Sequence, residues 1–229
     1  MTRRLASLKT EGCSLLVVGD FPREIHSRVS RQLLGDDELL RRRVIASVGG
    51  NGRPPIALPV AARSADRLQV LYQPIAATRE EETAAVESMS SATDPRRTRI
   101  GGDGLDALGI AISETIADFE RLAGELIDDD PAAGEIRICL RSLDPLIDRH
   151  GLERTFRFLH LLRARTRSVN GMAHAHLAAP LDSERVRTLE GVTDATIEVG
   201  LDGSDPVHRW HLRNPAVTTG WLQLSAPHD

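Results

Sequence analysis

Between residues 104 and 126, apolar side chains fall at Leu105, Leu108, Ile112, Ile116, Phe119, Ala123 and Leu126, three or four residues apart. On a helix of 3.6 residues per turn, that spacing forms one stripe and turns it toward a core. Asp103 or Gly104 stands where a helix cap is needed. A second helix is predicted over 151–168, with Leu152, Phe156, Leu159 and Leu162 on its buried side and Glu153 and Arg157 one turn apart outside. Shorter helical signals begin near Pro22 and cover about 182–190. Between the helices lie short β-branched or aliphatic runs at 13–18, 43–48, 67–72, 136–140, 172–177 and 194–199. Runs this short read as strands. Their alternation with helices predicts an α/β fold, a doubly wound and mainly parallel sheet with helices on both faces.

The chain's ending has a different pattern. VHRWHL (207–212) and GWLQLS (220–225) flank the turn-rich NPAVTT, which predicts an antiparallel hairpin at a sheet edge within a C-terminal segment, 205–229. Trp210 and Trp221 both sit there and are expected to pack the hairpin onto the sheet. Residues 73–102, with Glu80-Glu81-Glu82, Ser90-Ser91 and Gly101-Gly102, have no comparable periodicity and read as a mobile surface excursion. Residues 1–12 form a polar N-terminal segment.

At 229 residues the chain fits one α/β domain with a substantial core. No apolar run approaches the roughly 18 residues of a membrane span. No long apolar stretch follows the N-terminal arginines, so the expectation is a cytoplasmic protein with no membrane partner. Cys13 and Cys139 fall inside predicted strands and read as small buried hydrophobes, not as a disulfide. Lys9 is the only lysine among 29 basic side chains, which removes lysine chemistry from the rest of the chain. A net charge of −4 gives no overall attraction to nucleic acid, and no nucleic-acid partner is expected. The clusters Arg41-Arg42-Arg43 and Arg96-Arg97-Arg99 have no interleaved aromatics and read as solvated positions flanking a strand and within a loop. Arg163, Arg165 and Arg167 end a predicted helix, where cations complement its dipole.

The stretch CSLLVVGDFPREIH (13–26) has the layout of a phosphate-binding loop, a strand ending in Gly19 and a helix starting near Pro22. Such a loop needs glycines that let backbone N–H groups converge, a lysine for the outer phosphates and a hydroxyl for magnesium. Counted from Gly19, the second glycine falls on Glu24, the lysine on Ile25 and the hydroxyl on His26. Glu24 and Asp20 repel a polyphosphate, so no nucleotide or other cofactor is expected at these positions, and no catalytic residue. His174 and His176 alternate on a strand and share a face. No cysteine or third histidine stands at a matching spacing, and Asp182 or Glu184 would have to complete a zinc site. The expectation is therefore satisfied polar positions and no metal. His208 and His211 fall on opposite faces, and Ser142 lacks the Gly-x-Ser-x-Gly setting of a nucleophile and reads as a cap.

After the strand IRICL (136–140), the segment RSLDPLIDRHGLERTFRFLHLLRARTRSVNGMAHAHL resembles the second-motif strand and following helix of RecA-like ATPases of the KaiC group. That pattern is an apolar run, Asp-Ser-Leu, a Pro-Leu-Leu turn and a helix rich in Phe and Leu. GLDALGIAISETIADFE (104–120) is similar to the family's long helix, and the order of elements agrees from about 12 to 200. More narrowly, the chain resembles the haloarchaeal HTR-like family of RecA-like proteins, whose motifs are usually decayed. The resemblance implies that Arg141 occupies the position of the metal-holding aspartate, and that Gly49-Gly50-Asn51-Gly52 stand where the family carries its glutamate pair. It implies a RecA-like domain without ATPase activity, a regulatory or interaction module in signal transduction or gene regulation, with a protein partner or a second copy of itself. A nucleotide-binding switch without hydrolysis and a DNA-associated accessory protein are the alternatives.

Overall fold

A computed structural model of the chain describes residues 7–8, 10–35, 38–49, 56, 58, 62–74, 95–127, 130–213 and 216–224. The strands are β1 (Cys13–Val18), β2 (Arg42–Val48), β3 (Leu68–Gln73), β4 (Arg96–Arg99), β5 (Ile136–Leu140), β6 (Met172–Leu177), β7 (Ala195–Asp202), β8 (Asp205–Arg213), β9 (Ala216–Thr218) and β10 (Leu222–Gln223). The helices are α1 (Arg23–Leu34), α2 (Leu105–Ile127), α3 (Asp144–His150), α4 (Leu152–Ser168) and α5 (Glu184–Glu190). One sheet joins the strands in the order β10-β8-β7-β1-β6-β5-β2-β3-β4, with β9 paired to β8. From β4 to β7 every pairing is parallel, whereas β8 runs antiparallel to β7, β9 and β10.

The chain crosses this sheet in two directions. β1 leads through α1 to β2, past β6 and β5, and the route from β4 to β7 then returns through α2, α3, α4 and α5. Right-handed crossovers place outbound and returning helices on opposite faces. The core divides accordingly. Leu16 and Val18 of β1 join Leu108, Ile112, Ile116 and Phe119 of α2 and Leu159 of α4, while Leu15 and Val17 join Val29 and Leu33 of α1. Covered on both sides, β1 is buried along its whole length and apolar at every position but Ser14.

The stripe read along α2 is buried at Leu108, Ile112, Ile116, Phe119 and Ala123. On α4 the buried face is Thr155, Phe158, Leu159, Leu162 and Thr166, with Leu152 and Phe156 at its margin. Gly151, at φ 83°, separates α3 from α4. The two C-terminal runs do pair, Leu222 opposite His208, and β7 forms an additional and longer antiparallel pairing with β8.

Three expectations are corrected. Arg96–Arg99, placed in the mobile excursion, is an edge strand parallel to β3; residues 75–94 of that excursion lie outside the described residues. Arg42 and Arg43 are not solvated flanks but buried positions of β2. Arg42 pairs with the buried Glu135. Arg43 donates to the carbonyls of Leu34 (3.2 Å) and Gly35 (3.0 Å), so its fork satisfies the end of α1. Finally, Arg163 and Arg167 reach Asp194, at 2.7 and 3.1 Å, and Arg165 reaches Glu120 at 2.5 Å. Their role is to join elements, beyond any effect on the helix dipole. Among the described residues no helix is long and apolar enough to cross a membrane.

Candidate functional site

The loops after β1 and β6 leave toward opposite faces of the sheet, and the crevice at the carboxyl ends of such strands is where α/β folds place ligands. β1 ends at Gly19, whose φ of 146° favours glycine; an added Cβ would also meet the Phe21 ring at 3.0 Å. Pro22 then begins α1. Of the positions aligned with a phosphate loop, Asp20 and Glu24 are exposed. Phe21 and Ile25 instead pack onto the core beneath α1. His26 turns down between helix and sheet. Its Nε2 lies 3.0 Å from the Gly19 carbonyl oxygen, and its Nδ1 lies 2.9 Å from Nδ1 of His176.

His176 belongs to a buried polar row that crosses three elements. Ser30, one turn after His26 on α1, has its Oγ 2.7 Å from His176 Nε2 and 3.6 Å from Cys139 Sγ. Cys139 of β5 sits beside His174 of β6 in the parallel ladder, and strand alternation puts His176 on the same face. One ligating atom from each of Cys139, His174 and His176 lies within 4.8 Å of the others. His174 Nε2 is buried and has no hydrogen-bond partner.

Burial dominates the protonation of this row. It lowers His26, although the bond to Gly19 opposes it. It also lowers His174, to about 3, with Arg137 adding to the effect. Burial holds His176 well below the ordinary imidazole value, assisted by His174, His26 and Arg141. The Cys139 thiol is pushed up to about 12 by burial, against the Ser30 bond and Arg141. At neutral pH the three imidazoles are therefore neutral and the thiol protonated. A carbonyl only accepts, so His26 carries its proton on Nε2 and offers a lone pair at Nδ1. His176 must donate there from its own Nδ1, which leaves His176 Nε2 as an acceptor for the Ser30 hydroxyl. The Ser30 oxygen in turn accepts from the Cys139 thiol.

Arg141 follows β5, and its backbone N–H donates to the Ala46 carbonyl at 3.0 Å. Its guanidinium is half-buried, lowered by burial against the influence of Cys139. The nearest carboxylate in the sequence, Asp144, accepts from Ser142 Oγ (3.0 Å) and from the Ala178 N–H (3.1 Å), tying the loops after β5 and β6 together. Ser142 accepts from the Asp144 N–H at 3.3 Å, but Leu143 stands at the cap position of α3 and no side chain caps that helix, so the expected capping role of Ser142 is corrected to a local turn contact. Gly49 ends β2, and residues 50–52 lie outside the described residues.

Asp182 and Glu184, the acids considered as partners for the two histidines, are exposed. The structure supplies Cys139 instead, together with His26 and Ser30. Sequence spacing could not reveal this, because His26 and His176 are 150 residues apart. The one available signal was that His26 and Ser30 stand one helical turn apart before a strand pair carrying Cys139 and His174. His211 pairs with Glu198 at 2.8 Å, far from this row in the ladder, while His208 is buried on the other face of β8.

Over residues 12–199 the chain matches DUF7504, a family of unknown function, and it belongs to that family. No curated protein matches it.

Proposed function

We propose that the chain is a RecA/KaiC-like domain without ATPase activity, a pseudo-ATPase that works as a regulatory or protein-interaction module. The observation that carries this reading is the inward turn of Ile25 and His26. In a phosphate-binding loop these two positions serve the nucleotide, one through a lysine and the other through a hydroxyl on magnesium. Here Ile25 packs into the core and His26 bonds to the Gly19 carbonyl and to His176, so both serve the fold. Glu24 and Asp20 present negative charge on the outer side, and the Arg141 guanidinium cannot hold a metal ion. Phosphate binding, metal binding and water activation form one charge-stabilising unit, so losses at all of them are not recovered singly.

The interaction part of the reading is supported by the opposite layer. A groove of about 880 Å³ lies between the start of α2 and α4, and Ile110 and Leu161 beside it are 57% and 68% exposed. Large apolar side chains left to solvent around a groove are characteristic of contact surfaces. The setting implied by the resemblance is signal transduction or gene regulation.

Thermal unfolding with and without Mg·ATP or Mg·GTP tests the proposal. A ligand present at 100 times its Kd adds about 2.7 kcal/mol. In a chain of this size that raises Tm by roughly 5–10 °C. The expected shift is under about 1 °C, for the unmodified chain and equally for Ile25→Lys compared with itself. A rise of the larger size in the unmodified chain would favour a nucleotide-binding switch and overturn the reading.

A further inference from the structure

The polar row beneath α1 makes sense without reference to nucleotides. We propose that Cys139, His174 and His176 form a binding site for a single thiophilic transition-metal ion, Zn²⁺ being the reference, with the Ser30 hydroxyl as the nearest further donor. This inference is independent of the pseudo-ATPase reading.

The donor set selects the class of ion. One sulfur and two imidazole nitrogens suit zinc and its neighbours and do not suit magnesium or calcium, which take oxygen. The donor atoms lie within 4.8 Å of one another. With metal–nitrogen and metal–sulfur distances of about 2.0–2.3 Å, a tetrahedral zinc site separates its donors by roughly 3.3–3.8 Å. Side-chain rotations of about 1 Å close the difference. His174 Nε2 is the independent sign of a missing occupant, since it is buried without a partner and folded proteins rarely leave such an atom unserved.

The surroundings are built as metal sites usually are. A ligating histidine commonly has its other nitrogen held by a second group, which fixes tautomer and ring orientation. His176 has this arrangement. Its Nδ1 is 2.9 Å from His26, which is anchored in turn on the Gly19 carbonyl, so the lone pair of Nε2 faces the Ser30 hydroxyl, itself 3.6 Å from Cys139 Sγ. Arg137, two residues before Cys139, is engaged with the carbonyls of Gly134 and Leu33. On binding, the S–H bond is replaced by an S–metal bond and the proton leaves to solvent.

The test uses the full chain produced in cells supplied with Co²⁺, which substitutes for zinc and reports thiolate ligation by its charge-transfer absorption. About one equivalent per chain is expected, with that band present. Cys139→Ser should abolish the band, and His174→Gln should lower metal content at least tenfold. His26→Phe should keep the ion but release it to a chelator 10–100-fold more readily (order of magnitude). Cys13→Ala, which alters the other buried cysteine, should leave the spectrum unchanged. If Cys139→Ser fails to fold by circular dichroism, His174→Gln and His26→Phe carry the test. Less than about a tenth of an equivalent in the unmodified chain, or a band that survives Cys139→Ser, would overturn the proposal and leave His174 to a buried water.

Discussion

Asp194 shows how much one side chain can organise. It lies in the turn before β7, and its side chain is 6% exposed. It accepts from the Ser14 N–H at 2.9 Å and pairs with Arg163 and Arg167 of α4. Burial alone would raise its carboxyl, but the bonds from Arg163 and Ser14 and the two guanidinium charges outweigh it, and the net result lies below the ordinary value of 3.8. A carboxyl depressed by folding contributes stability that is complete above its unfolded value and is lost as pH falls through the folded one. Because the arginines are about one-third exposed, their Coulomb contribution is discounted for solvent screening, and Asp194→Asn is expected to cost about 2 kcal/mol at pH 7. That corresponds to roughly 4–8 °C in Tm. The gap between variant and unmodified chain should narrow below about pH 4, read from melting curves over an acid series. A gap that stays constant would show that the charge is not what stabilises. In the sequence these arginines were legible only as a row at a helix end, since their partner comes from a turn two elements later.

At the scale of elements, periodicity was a good guide wherever burial was apolar. The α2 stripe and the continuous apolar run of β1 could be read directly, because one faces a single core and the other lies between two. Charge hid the rest. β4 reads as loop because arginines dominate it, and the burial of Arg42 and Arg43 was invisible because Glu135, the partner of Arg42, is distant in sequence and the partners of Arg43 are main-chain carbonyls at the end of α1, which no side-chain pattern announces. The C-terminal strands rest on a closer fit. A Cβ added to Gly200 would stand 2.8 Å from the Trp221 ring, which also carries the Arg209 guanidinium 4.4 Å from its centroid. Gly200→Ala must therefore displace the indole. The expected cost is about 1 kcal/mol, a fall of roughly 2–4 °C in Tm, with tryptophan emission shifted to the red and faster amide exchange at Leu222 and Gln223. Unchanged emission and exchange would mean that β10 is held by its ladder alone.

At the scale of the whole molecule, the sheet formed by the described residues has two very different margins. β10 is only two residues long, and β4 presents Arg96, Arg97, Thr98 and Arg99, all exposed. Charged side chains on an open edge oppose pairing with another chain. Replacing Arg96, Arg97 and Arg99 by valine is expected to produce concentration-dependent association, seen as rising mass in light scattering after gel filtration; a mass that does not depend on concentration would show that these charges do not guard the edge. The fold was thus legible in outline and the buried row was not. The strand carrying His174 and His176 was recognisable, but its company is assembled by register between β5 and β6 and by the placing of α1 across them. The Gly19 carbonyl has one more consequence. Every hydrogen in the row points toward it, from sulfur through serine and two rings, so the sequence of bonds has a polarity imposed from one end. Turn that single peptide plane and each proton is free to shift to the other side of its bond, which would put a hydrogen on His176 Nε2 and take away the electron pair that faces Ser30. The orientation of one amide thus governs the chemical character of an atom several side chains deeper.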